Sequence, residues 1–151
     1  MMMTVGTLVP EFSLLDDKGH LRHLSEFYGK PLVIYFYPKD DTPGCTKQAC
    51  LFRDLYEDFR TRDITVLGIS KDDTKSHQQF KDKYNLPFTL LSDTEHKVCE
   101  MFGVWVEKQK FGQTYMGIKR STFVLDASGV VTHVFENASP DTNAQDILNV
   151  L

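Results

Sequence analysis

Six apolar or aromatic residues in succession, Leu32-Val33-Ile34-Tyr35-Phe36-Tyr37, stand between Pro31 and Pro38. The run is rich in β-formers and shows no alternation with polar residues. That pattern suits a central strand covered on both faces. It runs through Lys39-Asp40-Asp41 into Thr42-Pro43-Gly44-Cys45, where the period changes. From Pro43 to about Arg62, Ala49, Phe52, Leu55, Tyr56 and Phe59 recur at helical spacing and make one apolar face. A buried strand that feeds directly into an amphipathic helix sets the frame for the rest of the chain.

The remaining segments fit that frame. Phe12–Leu15, the turn Asp16-Asp17-Lys18-Gly19 and His20–Leu24 read as a strand, a turn and a returning strand. Ser25–Lys30 reads as one helical turn closed by Gly29. Ile64–Ser70 is a second buried strand, Thr74–Tyr84 a charged surface helix, Phe88–Ser92 a short strand and Glu95–Phe102 a helix stopped by Gly103. Val104–Gly117 reads as a strand and a loop. Ser121–Leu125 and Val130–Phe135 flank Asp126-Ala127-Ser128-Gly129, a hairpin signal. Ser139 as N-cap, with Pro140 at the first helical position, begins a C-terminal helix. Strands alternating with helices call for parallel crossovers, and the hairpin adds antiparallel pairing. The expected fold is a thioredoxin-like α/β structure: a central mixed sheet flanked by helices, with an N-terminal β extension. Residues 1–151 are read as a single domain.

Bulk properties exclude several function classes. The chain is 41% hydrophobic and 25% charged with a net charge of −4, and its lysines are scattered. Nothing here favours nucleic acid or an anionic membrane as partner. No apolar run approaches the roughly 18 residues of a membrane span. The start of the chain lacks the basic and apolar blocks of a signal peptide, so a cytoplasmic location is expected. Three cysteines, Cys45, Cys50 and Cys99, do not form a secreted disulfide framework. In a reducing compartment, a close cysteine pair points to catalysis or metal binding. A structural zinc site needs four ligands in close pairs, and the histidines at 20, 23, 77, 96 and 133 supply no such pattern. They are expected at solvated or edge positions.

Cys45 reads as a redox nucleophile and Cys50 as its partner. Thr42 suits an N-cap and Pro43 the first helical position, so Cys45 falls in the first turn. There the unpaired N–H groups and the positive end of the helix dipole favour an anionic sulfur. Gly44 removes a side chain beside the thiol, leaving room for a small substrate. The competing reading for Cys45 is a packed, inert thiol at a helix start; for Cys50 it is a small apolar residue. Five helical residues turn through about 500° and rise about 7.5 Å, which separates the two Cα atoms by roughly 8–9 Å. A disulfide tolerates no more than about 7 Å. An intact helix therefore keeps these two sulfurs apart. Cys99, among Val98, Met101 and Phe102, is expected to pack in the core.

The run Pro38-x-x-x-Thr42-x-x-Cys45 resembles the active-site motif of the peroxiredoxins. With Tyr37 before it, Pro43-Gly44 and Thr46 around the cysteine and Cys50 five residues on, it is similar to the bacterioferritin comigratory protein branch, also called the Q-type. The likeness continues through Val66–Ser70, Phe88–Asp93, Phe102–Trp105 and Gly117–Asp126. The resemblance implies a thiol peroxidase for hydrogen peroxide and organic hydroperoxides. Cys45 would be the peroxidatic cysteine and Cys50 the resolving one, joined in an intramolecular disulfide that thioredoxin reduces. Arg120 would be the active-site arginine, Thr42 would hydrogen-bond the peroxide, and Pro38 would shield the sulfur. Backbone N–H groups of Gly44 and Cys45 would hold the other oxygen, and Gln48 would orient Arg120. No metal or organic cofactor is implied, and a monomer is. The main rival is a general thiol–disulfide oxidoreductase on the same fold. Such a protein needs neither the hydroxyl of Thr42 nor the cation of Arg120.

Overall fold

The computed structural model describes residues 1–151. A seven-stranded mixed sheet runs through it, built from β1 (Ser13–Asp16), β2 (Leu21–His23), β3 (Leu32–Phe36), β4 (Thr65–Ser70), β5 (Thr89–Ser92), β8 (Ser121–Leu125) and β9 (Val131–Phe135). Its strand order is β2-β1-β5-β4-β3-β8-β9. The crossover-linked strands β3, β4 and β5 pair in parallel. On the other side of β3, the hairpin β8–β9 pairs antiparallel. The N-terminal hairpin β1–β2 extends the edge through an antiparallel contact of β1 with β5. This is the thioredoxin-like arrangement with an N-terminal β extension.

Every residue of β3 is buried, and alternate side chains enter different cores. Leu32, Ile34 and Phe36 pack with Val98, Cys99 and Phe102 of α4 (Lys97–Phe102). Val33, Tyr35 and Tyr37 pack with Ala49 and Phe52 of α1 (Pro43–Asp54), Phe59 of α2 (Tyr56–Thr61), Phe80 of α3 (Thr74–Tyr84) and Ile147 and Leu148 of α5 (Asn143–Val150). The absence of polar alternation in Leu32–Tyr37 thus follows from helices on both faces. Gly68 of β4 is needed at the second face: a Cβ there would lie 2.9 Å from both Leu90 and the Tyr35 ring.

Three local expectations differ from what is observed. The helix after Cys45 is not continuous to Arg62 but breaks at Leu55, which has φ −99° and ψ 6°. Val104–Gly117 is not strand and loop. It forms the greater part of a separate two-stranded hairpin, β6 (Trp105–Lys110) and β7 (Gln113–Ile118), turned at Phe111-Gly112, both with positive φ. Ser139 and Pro140 do not start the last helix. Ser139 closes a turn by accepting from the N–H groups of Thr142 and Asn143, and the helix begins at Asn143. That shift has a consequence for the site, because it directs Asn143 inward.

Candidate active site

The carboxyl end of β3, the loop Pro38–Thr42 and the first turn of α1 converge on Cys45, which is 2% exposed. This is where open α/β sheets place their sites. Tyr35 lies beneath. Burial first, then the charge of Cys45, pushes its hydroxyl well above the usual tyrosine range, so it stays neutral.

Arg120, just before β8, reaches the sulfur. Its Nη2 donates toward Cys45 Sγ at 3.4 Å, and its Nη1 donates to Gln48 Oε1 at 2.7 Å. Gln48 is fully buried on α1. Its Nε2 donates to Asn143 Oδ1 (3.1 Å), which also accepts from the Thr122 hydroxyl (2.8 Å). The guanidinium is therefore fixed by a chain that ties α1, β8 and α5 together. Gln48 and Arg120, paired by the resemblance, are brought into hydrogen-bond contact. Asn143 and Thr122 are additions that no motif signalled.

Gly44 serves a different purpose from the one its sequence position suggested. A Cβ at this residue would lie 3.1 Å from Arg120 Nη2 and 3.8 Å from Pro140. The missing side chain admits the guanidinium rather than leaving open space for substrate.

Thr42 occupies the N-cap position, yet its side chain does not cap the helix. The hydroxyl donates instead to the Lys39 carbonyl at 2.9 Å. Its proton is committed there, which leaves the oxygen's lone pairs as acceptors. The Thr42 carbonyl takes the Thr46 N–H at 2.8 Å, but the N–H groups of Gly44 and Cys45 precede the first helical bond, and the Thr42 hydroxyl does not occupy them. Pro38 is half-buried at the loop's start. Cys50 lies on the same helix as Cys45, half-buried, and all three cysteines are free. Cys99 is enclosed in the core; burial, then the charge of Asp93, pushes its thiol strongly up and keeps it protonated.

His77 is not solvated. It is fully buried on α3, with Nδ1 donating to Asp40 Oδ2 (2.7 Å) and Nε2 donating to the Leu91 carbonyl (2.9 Å). Asp40 also accepts from the hydroxyls of Tyr37 (2.6 Å) and Ser76 (2.8 Å), and its own N–H donates to Asp72 (2.8 Å). The active-site loop is thereby pinned to α3 and to the end of β4. Burial opposes charge on His77, but the bond to Asp40 and its charge outweigh that, and the net direction is up. Each ring nitrogen faces an acceptor, the Asp40 carboxylate or the Leu91 carbonyl, which suits an imidazolium. A raised folded-state value means the stabilisation is complete below the unfolded histidine's value, near 6.5, and fades as pH rises through the raised one. The urea midpoint is expected to fall with rising pH across that window. In His77→Asn this part of the pH dependence should vanish; an unchanged slope would remove the charged-pair reading.

A sulfur set under a guanidinium at the end of a thioredoxin-like sheet is the equipment of a thiol-based oxidoreductase. Comparison with known proteins narrows the class. Residues 5–134 match the AhpC/TSA family. The chain is 48% identical over 151 residues, the whole of both proteins, to a putative peroxiredoxin bcp of Coxiella burnetii. It is 50% identical over 129 residues to peroxiredoxin Bcp of Bacillus subtilis, covering 85% of this chain and 82% of that one. Among solved structures, a Xylella fastidiosa PrxQ mutant superposes with a TM-score of 0.92 at 32% identity, covering 99% of this chain and 96% of the other. The bacterioferritin comigratory protein of Xanthomonas campestris gives 0.87 at 36% identity, covering 92% and 88%. The chain belongs to the AhpC/TSA peroxiredoxin family, in its BCP/PrxQ branch. It is accordingly a thiol-based peroxidase.

Proposed function

We propose that Cys45 is the peroxidatic cysteine and that the cycle runs through Cys50 within one chain. The Arg120–Cys45 contact at 3.4 Å, at the start of α1, carries this reading. The Cys45 thiolate attacks one oxygen of a hydroperoxide in line with the O–O bond. That bond breaks, its electron pair stays on the departing oxygen, and a proton converts it to water or an alcohol. Cys45 is left as sulfenic acid. Arg120 stabilises the thiolate and then the charge building on the departing oxygen. First-turn N–H groups at Gly44 and Cys45 hold a peroxide oxygen as a helix start holds an anion, and the Thr42 oxygen accepts a hydrogen bond from the peroxide O–H. Pro38 walls the thiol from bulk water.

In the second step the Cys50 sulfur attacks the sulfenic sulfur, water leaves and a disulfide forms. A dithiol of the thioredoxin kind then reduces it by exchange. No metal or organic cofactor enters these steps. Residues 1–151 act as one catalytic unit. The intramolecular bond makes a monomer sufficient, and the need for a steady supply of reduced dithiol fits the cytoplasm. The peroxidase class of the relatives and the alkyl peroxide reduction named for the X. campestris protein support the substrate.

Stoichiometry tests the cycle. Cys50→Ser is expected to reduce one equivalent of hydrogen peroxide per chain and then stop with Cys45 as a trappable sulfenic acid. Wild-type turnover with thioredoxin by this variant would remove Cys50 from the cycle. Failure of the first equivalent, in a variant that retains the fold, would remove Cys45 as the peroxidatic thiol.

A further inference from the structure

The hairpin β6–β7 stands outside the main sheet. Together with the active-site loop it encloses a cavity of about 240 Å³ lined by Pro38, Lys39, Lys71, Lys108, Lys110 and Tyr115, with Gly117 and Ile118 at the strand end. The chain as a whole carries a net charge of −4, yet four lysines line this one recess. Elsewhere Lys30, Lys81, Lys83, Lys97 and Lys119 pair with carboxylates, while Lys18, Lys47 and Lys75 stand apart from one another. Those around the cavity have no carboxylate within 4.0 Å. The Lys71 ammonium instead sits 5.9 Å from the Trp105 ring centre, which is itself stacked on His96.

The recess adjoins the active-site loop. Pro38 forms part of its wall and begins the loop that leads to Cys45. Lys108 is half-buried. Burial, then repulsion from Arg120 and Lys71, lowers its proton affinity, while the Cys45 sulfur acts in the opposite direction. These groups share one electrostatic field. Gly117 lets the Lys108 stem cross the hairpin: a Cβ there would lie 3.3 Å from Lys108 Cδ.

We propose that this cavity is a subsite for the anionic group of a hydroperoxide, so that the enzyme favours short hydroperoxides bearing a carboxylate or comparable anion a few carbons from the O–O bond. The proposal rests on Cys45 being the peroxidatic thiol. The volume is below the roughly 300–1,000 Å³ of pockets for drug-sized ligands, which suits a compact group rather than a long acyl chain. Unpaired ammonium groups in a recess concentrate anions and accelerate their encounter. Hydrogen peroxide, neutral and too small to span the two places, gains nothing from it.

The test compares single-turnover oxidation of Cys45 by a short alkyl hydroperoxide carrying a carboxylate and by its methyl ester. The carboxylate is expected to react roughly tenfold faster, the lower end for a cleft of one charge sign. The preference should shrink as salt rises to about 0.5 M. Lys71→Gln/Lys108→Gln should bring the ratio close to one while Cys45 is still oxidised by hydrogen peroxide, which shows that the variant is folded. Lys30→Gln, at the opposite end of β3, should keep the preference. Equal rates for acid and ester in the wild type, or a preference that survives the double substitution, would overturn the subsite alone. Absence of Cys45 oxidation by any of the three peroxides would overturn the peroxidatic assignment and the subsite with it.

Discussion

Cys45→Ser is expected to abolish peroxide turnover, and Arg120→Ala to slow Cys45 oxidation by roughly 10²–10³-fold, the scale of losing one preorganised donor to a developing oxyanion. The two losses differ in kind. Serine keeps the shape of the site but removes the nucleophile, because a hydroxyl in place of the thiol yields no comparable anion at neutral pH. Alanine at 120 leaves the sulfur in place and removes the cation that touches it at 3.4 Å. Arg120→Lys should recover part of the rate only. A lysine offers a point charge, whereas the guanidinium uses separate nitrogens for Cys45 and Gln48. Reduction of the disulfide by thioredoxin should be little changed in Arg120→Ala, since disulfide exchange needs no cation at a departing oxygen. Stopped-flow oxidation and reduction, measured separately, check this. Equal slowing of both steps would make Arg120 a structural residue. Gln48→Ala and Asn143→Ala should give smaller losses confined to the oxidation step, because each acts on the sulfur only by aiming Arg120.

What could be read from the sequence is what lies close together in it. Leu32–Tyr37 and the turn into α1 declare themselves through period and punctuation, and Thr42, Cys45 and Cys50 follow from their place on that strand, loop and helix. Arg120 lies 75 residues from Cys45. No local pattern marks it, and only the family resemblance brought it to the site. Asn143 belongs to no motif and His77 is expected at a solvated or edge position, yet the helical period marks both. Asn143 stands one turn before Ile147 on the apolar face of α5, and His77 three residues before Phe80 on the inner face of α3. A polar residue on a buried face needs partners, and both have them: His77 in Asp40 of the loop, Asn143 in Gln48 and Thr122. Thr42 shows the opposite failure. Its residue type and position predict a capping hydroxyl, but the Lys39 carbonyl competes for it. The hairpin β6–β7 was obscured because it pairs only with itself. Standing outside the main sheet, β6 keeps charged residues at both alternating sets of positions and β7 is polar at its start, so the period-two signal is lost.

Oxidation to a Cys45–Cys50 disulfide is expected to raise amide hydrogen exchange across Cys45–Phe52 from core-like protection toward that of an open segment. The reduced protein places both cysteines inside α1, Cys45 packed with Ala49 and Phe52 and Cys50 half-buried. Helical geometry holds their Cα atoms roughly 8–9 Å apart, beyond the reach of a disulfide near 7 Å at most. Bond formation therefore requires Cys45 to leave its pocket and the first turns of α1 to unwind. Gln48 lies between the two cysteines and must move as well, which breaks its bonds to Arg120 and Asn143. The same motion takes the oxidised sulfur away from the guanidinium, so the disulfide state cannot engage another peroxide. Exchange equal to or slower than that of the reduced protein over this segment would show that the disulfide forms without unwinding. Cys50→Ser supplies the complement. With no partner to draw Cys45 out, α1 should keep its protection after one equivalent of peroxide. The sulfenic acid then stays beside Arg120, and excess peroxide should carry it on to sulfinic acid, visible as a second added oxygen in the intact mass.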